Sequence, residues 1–178
     1  LAKQQPGKLT YASSGAGGQQ HLSMEMVKHM ADIDIVHVPY KGFGQGVNDV
    51  MAGHVPLIFG GITASIQLSK SGKLKPIAVT SLKRAKALPD VPAIAETLPG
   101  FRIDAWYGFM GPAGMPKELV KKIHDDVASI LKRPDIQARI QADGMEVLGN
   151  SPEEFAQQIA EDTKDWSKLI KSAQIKLD

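Results

Sequence analysis

Leu9–Leu22 reads LTYASSGAGGQQHL, and this stretch decides the fold. Leu9-Thr10-Tyr11-Ala12 has strand character, since Thr and Tyr favour a pleated, half-buried surface. Ser13-Ser14-Gly15-Ala16-Gly17-Gly18 does not continue a strand; its glycines let the backbone turn tightly and come close to a bound group. From Gln19 the pattern turns helical, with Leu22, Met26 and Met30 four apart on one face. A helix that opens on a glycine turn exposes unpaired N–H groups and about half a unit of positive charge. Strand, glycine turn and helix together describe either an anion site without a basic side chain or a plain tight turn, and the residues alone leave both readings open.

The choice of anion narrows by elimination. Gly15 and Gly17 fit the first half of G-x-G-x-x-G, but Gln20 stands at the third position. A dinucleotide site also needs an acid at the end of the next strand. That strand, Asp34 to Val38, runs into Pro39-Tyr40-Lys41. The Gly-Lys-Ser/Thr of the NTPase phosphate loop is absent. A carboxylate remains, small enough for a few backbone amides with Ser13, Ser14 and Gln20.

The chain outward from this stretch keeps the same rhythm. Asp34–Val38 is a strand followed by the turn Pro39–Gly44; Val47, Val50 and Met51 mark a short helix closed by Gly53. Val55–Phe59 is a third strand ending in Gly60-Gly61, Ile62–Ser69 a helix stopping near Gly72, and Leu74–Thr80 a fourth strand with Pro76 at an edge or start position. Alternating strands and helices predict a parallel sheet with helices on both faces, and ligands in such sheets sit at the carboxyl ends of the strands.

Ser81–Gly100 breaks the rhythm with Pro89, Pro92 and Pro99 beside Lys83, Arg84 and Lys86, and reads as a connector with a solvated charge run. Phe101–Phe109 alternates strictly and predicts a strand. Its adjacent Trp106 and Tyr107 face opposite sides, one toward the core and one toward a cleft, unless both are structural. Leu119, Val120, Ile123, Val127, Ile130 and Leu131 form a wide helical stripe that Arg133-Pro134 ends; Ile136 and Ile140 suit a short helix, and Met145–Leu148 a short strand. Ser151-Pro152-Glu153-Glu154 is a capping box, and Phe155, Ile159, Trp166 and Ile170 share a face of the last helix. Two short strands are a small floor for so wide a stripe. Leu1–Gln5, stopped by Pro6-Gly7, reads as a helix end. With no initiator Met or signal peptide, these features predict a piece of a longer chain.

Composition bounds the function classes. The 178 residues are 43% hydrophobic and 22% charged, enough for a core. A net charge of +2 without a basic run argues against nucleic acid or a membrane surface. No apolar run approaches the roughly 20 residues of a membrane span. The absence of cysteine excludes disulfides and thiolate-bound metals and fits an oxidising compartment. The five histidines, His21, His29, His37, His54 and His124, lack zincin spacing, so no metal is expected, and no cofactor either. A serine hydrolase needs G-x-S-x-G, and neither Ser13 nor Ser14 has a glycine two positions before it. His21 is expected to pack or hydrogen-bond near the pocket. Asp49 and Asp104 have no partner carboxylate in view for acid–base work.

The ordered succession YASSGAGGQQHL, VPYKGFGQGVNDVMAGHV, GKLKPIAVTSLKRAKALPDVPAIAE, DAWYGFMGPAGMP and GNSPEEFAQQI resembles the Bug-type solute receptors of tripartite tricarboxylate transporters over essentially the whole chain. The resemblance implies a type II periplasmic-binding-protein fold, two α/β domains around a cleft that closes on a ligand. It implies a nearly complete ligand-binding domain over residues 1–80, a crossover over 81–103, and part of the other domain over 104–178. It implies no enzymatic activity and capture of a small carboxylate: a di- or tricarboxylate, an acidic amino acid or an aromatic acid. The partners it implies are membrane transporter subunits, and the location is the periplasm. Ser13, Ser14, Gly15, Ala16, Gly17, Gly18, Gln19 and Gln20 match the family's carboxylate loop, with Lys41 and Gly60 beside them. Two positions depart from the family: Gly18 where Ser or Thr is common, and Gly60 where Asp is common. A sensor domain on the same fold is the alternative, and a nucleotide-dependent α/β enzyme a further one. An uncovered second half is expected to drive self-association.

Overall fold

The structure, a computed structural model, describes residues 1–172. Three short parallel strands form its sheet: β1 (Thr10–Ser13), β2 (Val36–Pro39) and β3 (Leu57–Ile58), in the order β2-β1-β3. Register pairs Tyr11 with His37 and Leu57, and Ala12 with Val38 and Ile58. The strand of the quoted stretch is thus the central one, and its Tyr11 and Ala12 are wholly buried.

Helix α1 (Gln19–Ala31) joins β1 to β2, α2 (Phe43–Met51) joins β2 to β3, and α3 (Ile62–Lys70) follows β3. Alternation along β1 sends successive side chains to opposite faces. Tyr11 faces α1, where its hydroxyl donates to Glu25. Ala12 faces α2, where Gly46 comes so close that an added Cβ would lie 3.3 Å from the Ala12 Cβ and 3.2 Å from Ile58 Cδ1. The sheet is therefore covered on both sides, as right-handed crossovers require when the order reverses at β1. The expected helical stripe of α1 needs correction. Leu22, Met26 and Met30 are only half-buried, and the deepest residues are His21 and Ser23. A polar stack on the sheet, rather than an apolar stripe, fixes this helix.

Three expected strands are absent. Leu74–Thr80 contributes one bridge, Val79 to Ala93. Phe101–Phe109 is extended without sheet pairing: Phe101 and Ile103 are buried, whereas Tyr107 and Phe109 are more than 80% exposed. Met145–Leu148 is irregular and its Leu148 is exposed. A strand needs a second backbone that answers its N–H and C=O groups in succession, and here the described residues show only scattered bonds, Val79 N–H to the Pro92 carbonyl, Ile94 N–H to the Val79 carbonyl and Ile103 N–H to the Thr80 carbonyl. The expected helix end at Leu1–Gln5 is only a turn, closed by Gln5 N–H to the Leu1 carbonyl at 3.0 Å.

The connector is ordered. Arg84 grips Glu96 with two bonds of 2.8 Å, Glu96 accepts the Ala93 N–H, and Val91, Ala93, Phe101 and Ile103 form a small buried cluster. Beyond it lie α4 (Lys117–Leu131), α5 (Pro134–Ala142) and α6 (Pro152–Ser172). The capping box forms as predicted, with Ser151 N–H donating to Glu154 and Glu154 N–H donating to Ser151 Oγ.

Candidate functional site

The parallel strands deliver three loops to one edge of the sheet, and each loop opens a helix. Helix α1 starts after Gly18, α2 after Gly42 and α3 after Gly61. None of the three has a side-chain cap, and none has an acid in its first turn. The other helices differ: α4 opens with Glu118, α5 with Asp135 and α6 with Glu153 and Glu154. Acids in a first turn neutralise the helix dipole and satisfy orphan amides. Where the helices meet the carboxyl edge of the sheet, that compensation is missing three times. The strand order reverses at β1, so the loops after β1 and β3 border the crevice where doubly wound sheets bind ligands.

Each residue expected in the site has a definite place. Ser13 is 1% exposed; its hydroxyl donates to the Gly15 carbonyl (3.0 Å), accepts the Gly15 N–H (3.2 Å) and lies 2.7 Å from His37 Nε2. Its valences are used inside the protein, so it shapes the turn and has nothing left for a ligand. The Ser14 hydroxyl donates to Gln20 Oε1, and the Gln20 side-chain amide nitrogen has no hydrogen-bond partner among the described residues. Gly15, at φ +144°, passes beside the Tyr40 carbonyl and links the first loop to the second. Ala16 is exposed at the tip. Gly17, at φ +73°, donates its N–H inward to His21 Nδ1 at 3.0 Å. Gly18 presents bare backbone at the helix start, and Gln19 reaches across to the Asp104 carbonyl. Lys41 is exposed on the second loop, with no ion pair among the described residues. At Gly60 an added Cβ would lie 2.2 Å from Phe43 Cε2 and 3.0 Å from Ser65 Oγ. The Phe43 ring thus occupies the volume that a side chain at position 60 would need.

Reading the sequence missed the layer beneath the turn. The His21 and His37 rings stack at 4.0 Å and 10°, and Tyr11 stacks on His37 at 4.8 Å. Burial lowers the pKa of both imidazoles, that of His37 to about 4, with its neighbour's charge adding to the effect. Burial and then the Glu25 carboxylate push the Tyr11 hydroxyl well up. All three stay neutral at pH 7. The i, i+4 pair His21–Glu25 was the available signal; the partner on β2 was not.

A separate cleft of about 330 Å³ lies between the start of α1 and α6, lined by Gln19, Leu22, Asp104, Trp106, Asp162 and Trp166 among others. The Trp106 indole donates to Asp162 at 2.7 Å. Trp106 therefore lines the cleft, while Tyr107 points to solvent.

A profile described as "Tripartite tricarboxylate transporter family receptor" matches residues 1–175. The chain belongs to this receptor family. A UPF0065 protein of Pseudomonas sp. (strain P51) is 34% identical to the receptor chain over 95% of its length and 51% of the relative's. Among solved structures, a periplasmic transporter is 38% identical with a TM-score of 0.89, matching 99% of this chain and 59% of its own. An R. palustris protein solved with adipate is 32% identical with a TM-score of 0.87, over 98% of this chain and 58% of its own. The periplasmic binding protein BugD is 32% identical with a TM-score of 0.83, over 98% of this chain and 60% of its own. The fold is that of the periplasmic binding proteins, α/β with a parallel sheet, present here in part. The chain spans about half the length of most of its curated relatives.

Proposed function

We propose that the chain is the ligand-binding portion of an extracytoplasmic solute receptor that captures a small carboxylate for a tripartite tricarboxylate-type transporter. One observation carries this reading: three successive helices open, uncapped and acid-free, at the carboxyl edge of one parallel sheet. Such an edge lacks the anions that its orphan amides need, and a carboxylate supplies one. The amides at Gly18, Gln19 and Gln20, the Gln20 side chain and the nearby Lys41 are the donors, while Ser13 and Gly17 set the turn. Hydrogen bonds to a charged group contribute about 1.5–3 kcal/mol each. Three or four of them, with cleft closure, reach micromolar affinity, roughly 8 kcal/mol. The adipate held by the R. palustris neighbour supports the same ligand class.

The reading is one of capture without chemistry. Ser13 and the neutral histidines are engaged with one another and with backbone. The family supports the periplasm as location and membrane transporter subunits as partners. Among the described residues no helix is long and apolar enough to cross a membrane.

The test is a calorimetric titration of the chain, and of a form extended to the length of its relatives, with mono-, di- and tricarboxylates including adipate. Saturable micromolar binding of a carboxylate by the extended form is expected. No carboxylate binding, with binding of a nucleotide instead, would overturn the receptor in favour of an α/β enzyme.

A further inference from the structure

Beneath the glycine turn lies a pair of stacked imidazoles, His21 buried and His37 half-buried, to which solute capture gives no role. A backbone N–H can only donate, so the Gly17 bond makes His21 Nδ1 an acceptor and places the ring proton on Nε2, facing Glu25 Oε1 at 3.9 Å. His37, 4.0 Å above it, touches Ser13 Oγ, and that oxygen engages both the N–H and the C=O of Gly15. Gly15 and Gly17, both in the positive-φ region, are therefore each tied to one member of the stack. With the Gly17 N–H held by His21, the following amides at the start of α1 have neither an intrahelical partner nor a side-chain cap.

We propose that the stacked His21–His37 pair is the positioning device of this anion turn, His21 anchoring Gly17 directly and His37 anchoring Gly15 through Ser13. This rests on the reading of the turn as the carboxylate site. The arrangement works only while the rings are neutral. A proton on Nδ1 of His21 would face the Gly17 N–H, and two imidazolium rings at 4.0 Å repel. The charged and titratable groups packed around the pair are Tyr11 on β1 and Glu25 and Lys28 on α1; Glu25 is already shared between Tyr11 (3.1 Å) and Lys28 (2.7 Å). Glu25 favours the charged form of both rings and Lys28 opposes it, but burial outweighs the carboxylate in each case, so the rings are neutral at pH 7 and acidification loosens the turn.

Two variants test this in the 178-residue chain and its extended form. His21→Asn places a carbonyl oxygen near the position of Nδ1 and keeps an acceptor for Gly17; His21→Leu removes it. The first readout needs no ligand: hydrogen exchange and chemical shift of the Gly15 and Gly17 amides by NMR from pH 7.5 to 4. The second is adipate affinity by calorimetry. We expect the Gly17 amide to lose protection in His21→Leu at every pH, and in the wild type only as the imidazoles protonate, with His21→Asn holding it throughout. Adipate affinity should fall about tenfold in His21→Leu, the loss of roughly one hydrogen bond's support, and stay near wild type in His21→Asn. An unchanged Gly17 amide in His21→Leu, or equal losses in both variants, would overturn the positioning role even where adipate binds. The expected amide behaviour in a protein that binds no carboxylate would instead sink the receptor reading and leave the positioning intact.

Discussion

Position 60 shows how one residue depends on another that is distant in sequence. The Phe43 ring lies where a side chain on Gly60 would begin, within 2.2 Å of an added Cβ. Gly60→Asp must displace that ring. We expect a loss of about 1–3 kcal/mol in urea unfolding, most of it regained in Gly60→Asp combined with Phe43→Ala. Equal losses in the single and double variants would show that ring and acid do not compete. The histidines give a second expectation at this scale. His37 titrates near 4 in the fold against an ordinary 6.5, so between those values the unfolded chain binds the proton and the folded chain does not. Its stabilising contribution is complete above about pH 6.5 and is lost as the pH falls toward 4. The unfolding midpoint should drop over that window, and less steeply in His37→Asn. A parallel decline in the two proteins would assign the acid sensitivity to carboxylates instead.

Helices were legible in the sequence because their signals are local. Gly53 and Gly72 beyond α2 and α3, the Ser151–Glu154 box and the apolar spacing in α4 each reside within one segment. Strands were legible only where two neighbours confirm one another, as in β1 with β2. The alternation of Phe101–Phe109 correctly marked Phe101 and Ile103 as buried, but alternation says which side faces inward and not whether a partner strand exists. The glycine turn was visible as a candidate site. Its support was not, because His21 and His37 lie sixteen positions apart and meet only where α1 packs on β2. The helix starts yield a prediction with opposite signs for stability and function. Gly18 has φ −70°, and an added Cβ would meet only the Gly15 carbonyl at 3.6 Å, so an aspartate fits there. Gly18→Asp should cap α1, gaining about 0.5–1 kcal/mol or about 1–3 °C in melting temperature, while weakening carboxylate binding at least about tenfold. A variant that gains stability and binds adipate as well as the wild type would remove the start of α1 from the site.

Across the whole molecule, apolar surface divides unevenly. The first three strands and their helices enclose Tyr11, Ala12, Val47 and Ile66, whereas α4 has no buried residue and leaves Leu119, Ile123 and Ile130 exposed, with Tyr107, Phe109 and Met110 beside the preceding turn. Exposed patches of this kind drive association. The chain by itself is expected to form oligomers at micromolar concentration, shown by sedimentation velocity; a monodisperse monomer would count against it. The uncapped helix starts bear on the molecule in a different way. Under the proposed function, a bound carboxylate would supply the cap that the sequence omits, so ligand and fold would be thermodynamically linked. At a ligand concentration of about 100 Kd the linkage adds about 2.7 kcal/mol. Under the proposed function, a protease would cut the receptor more slowly while its ligand is present, so the amount of receptor would follow the supply of ligand.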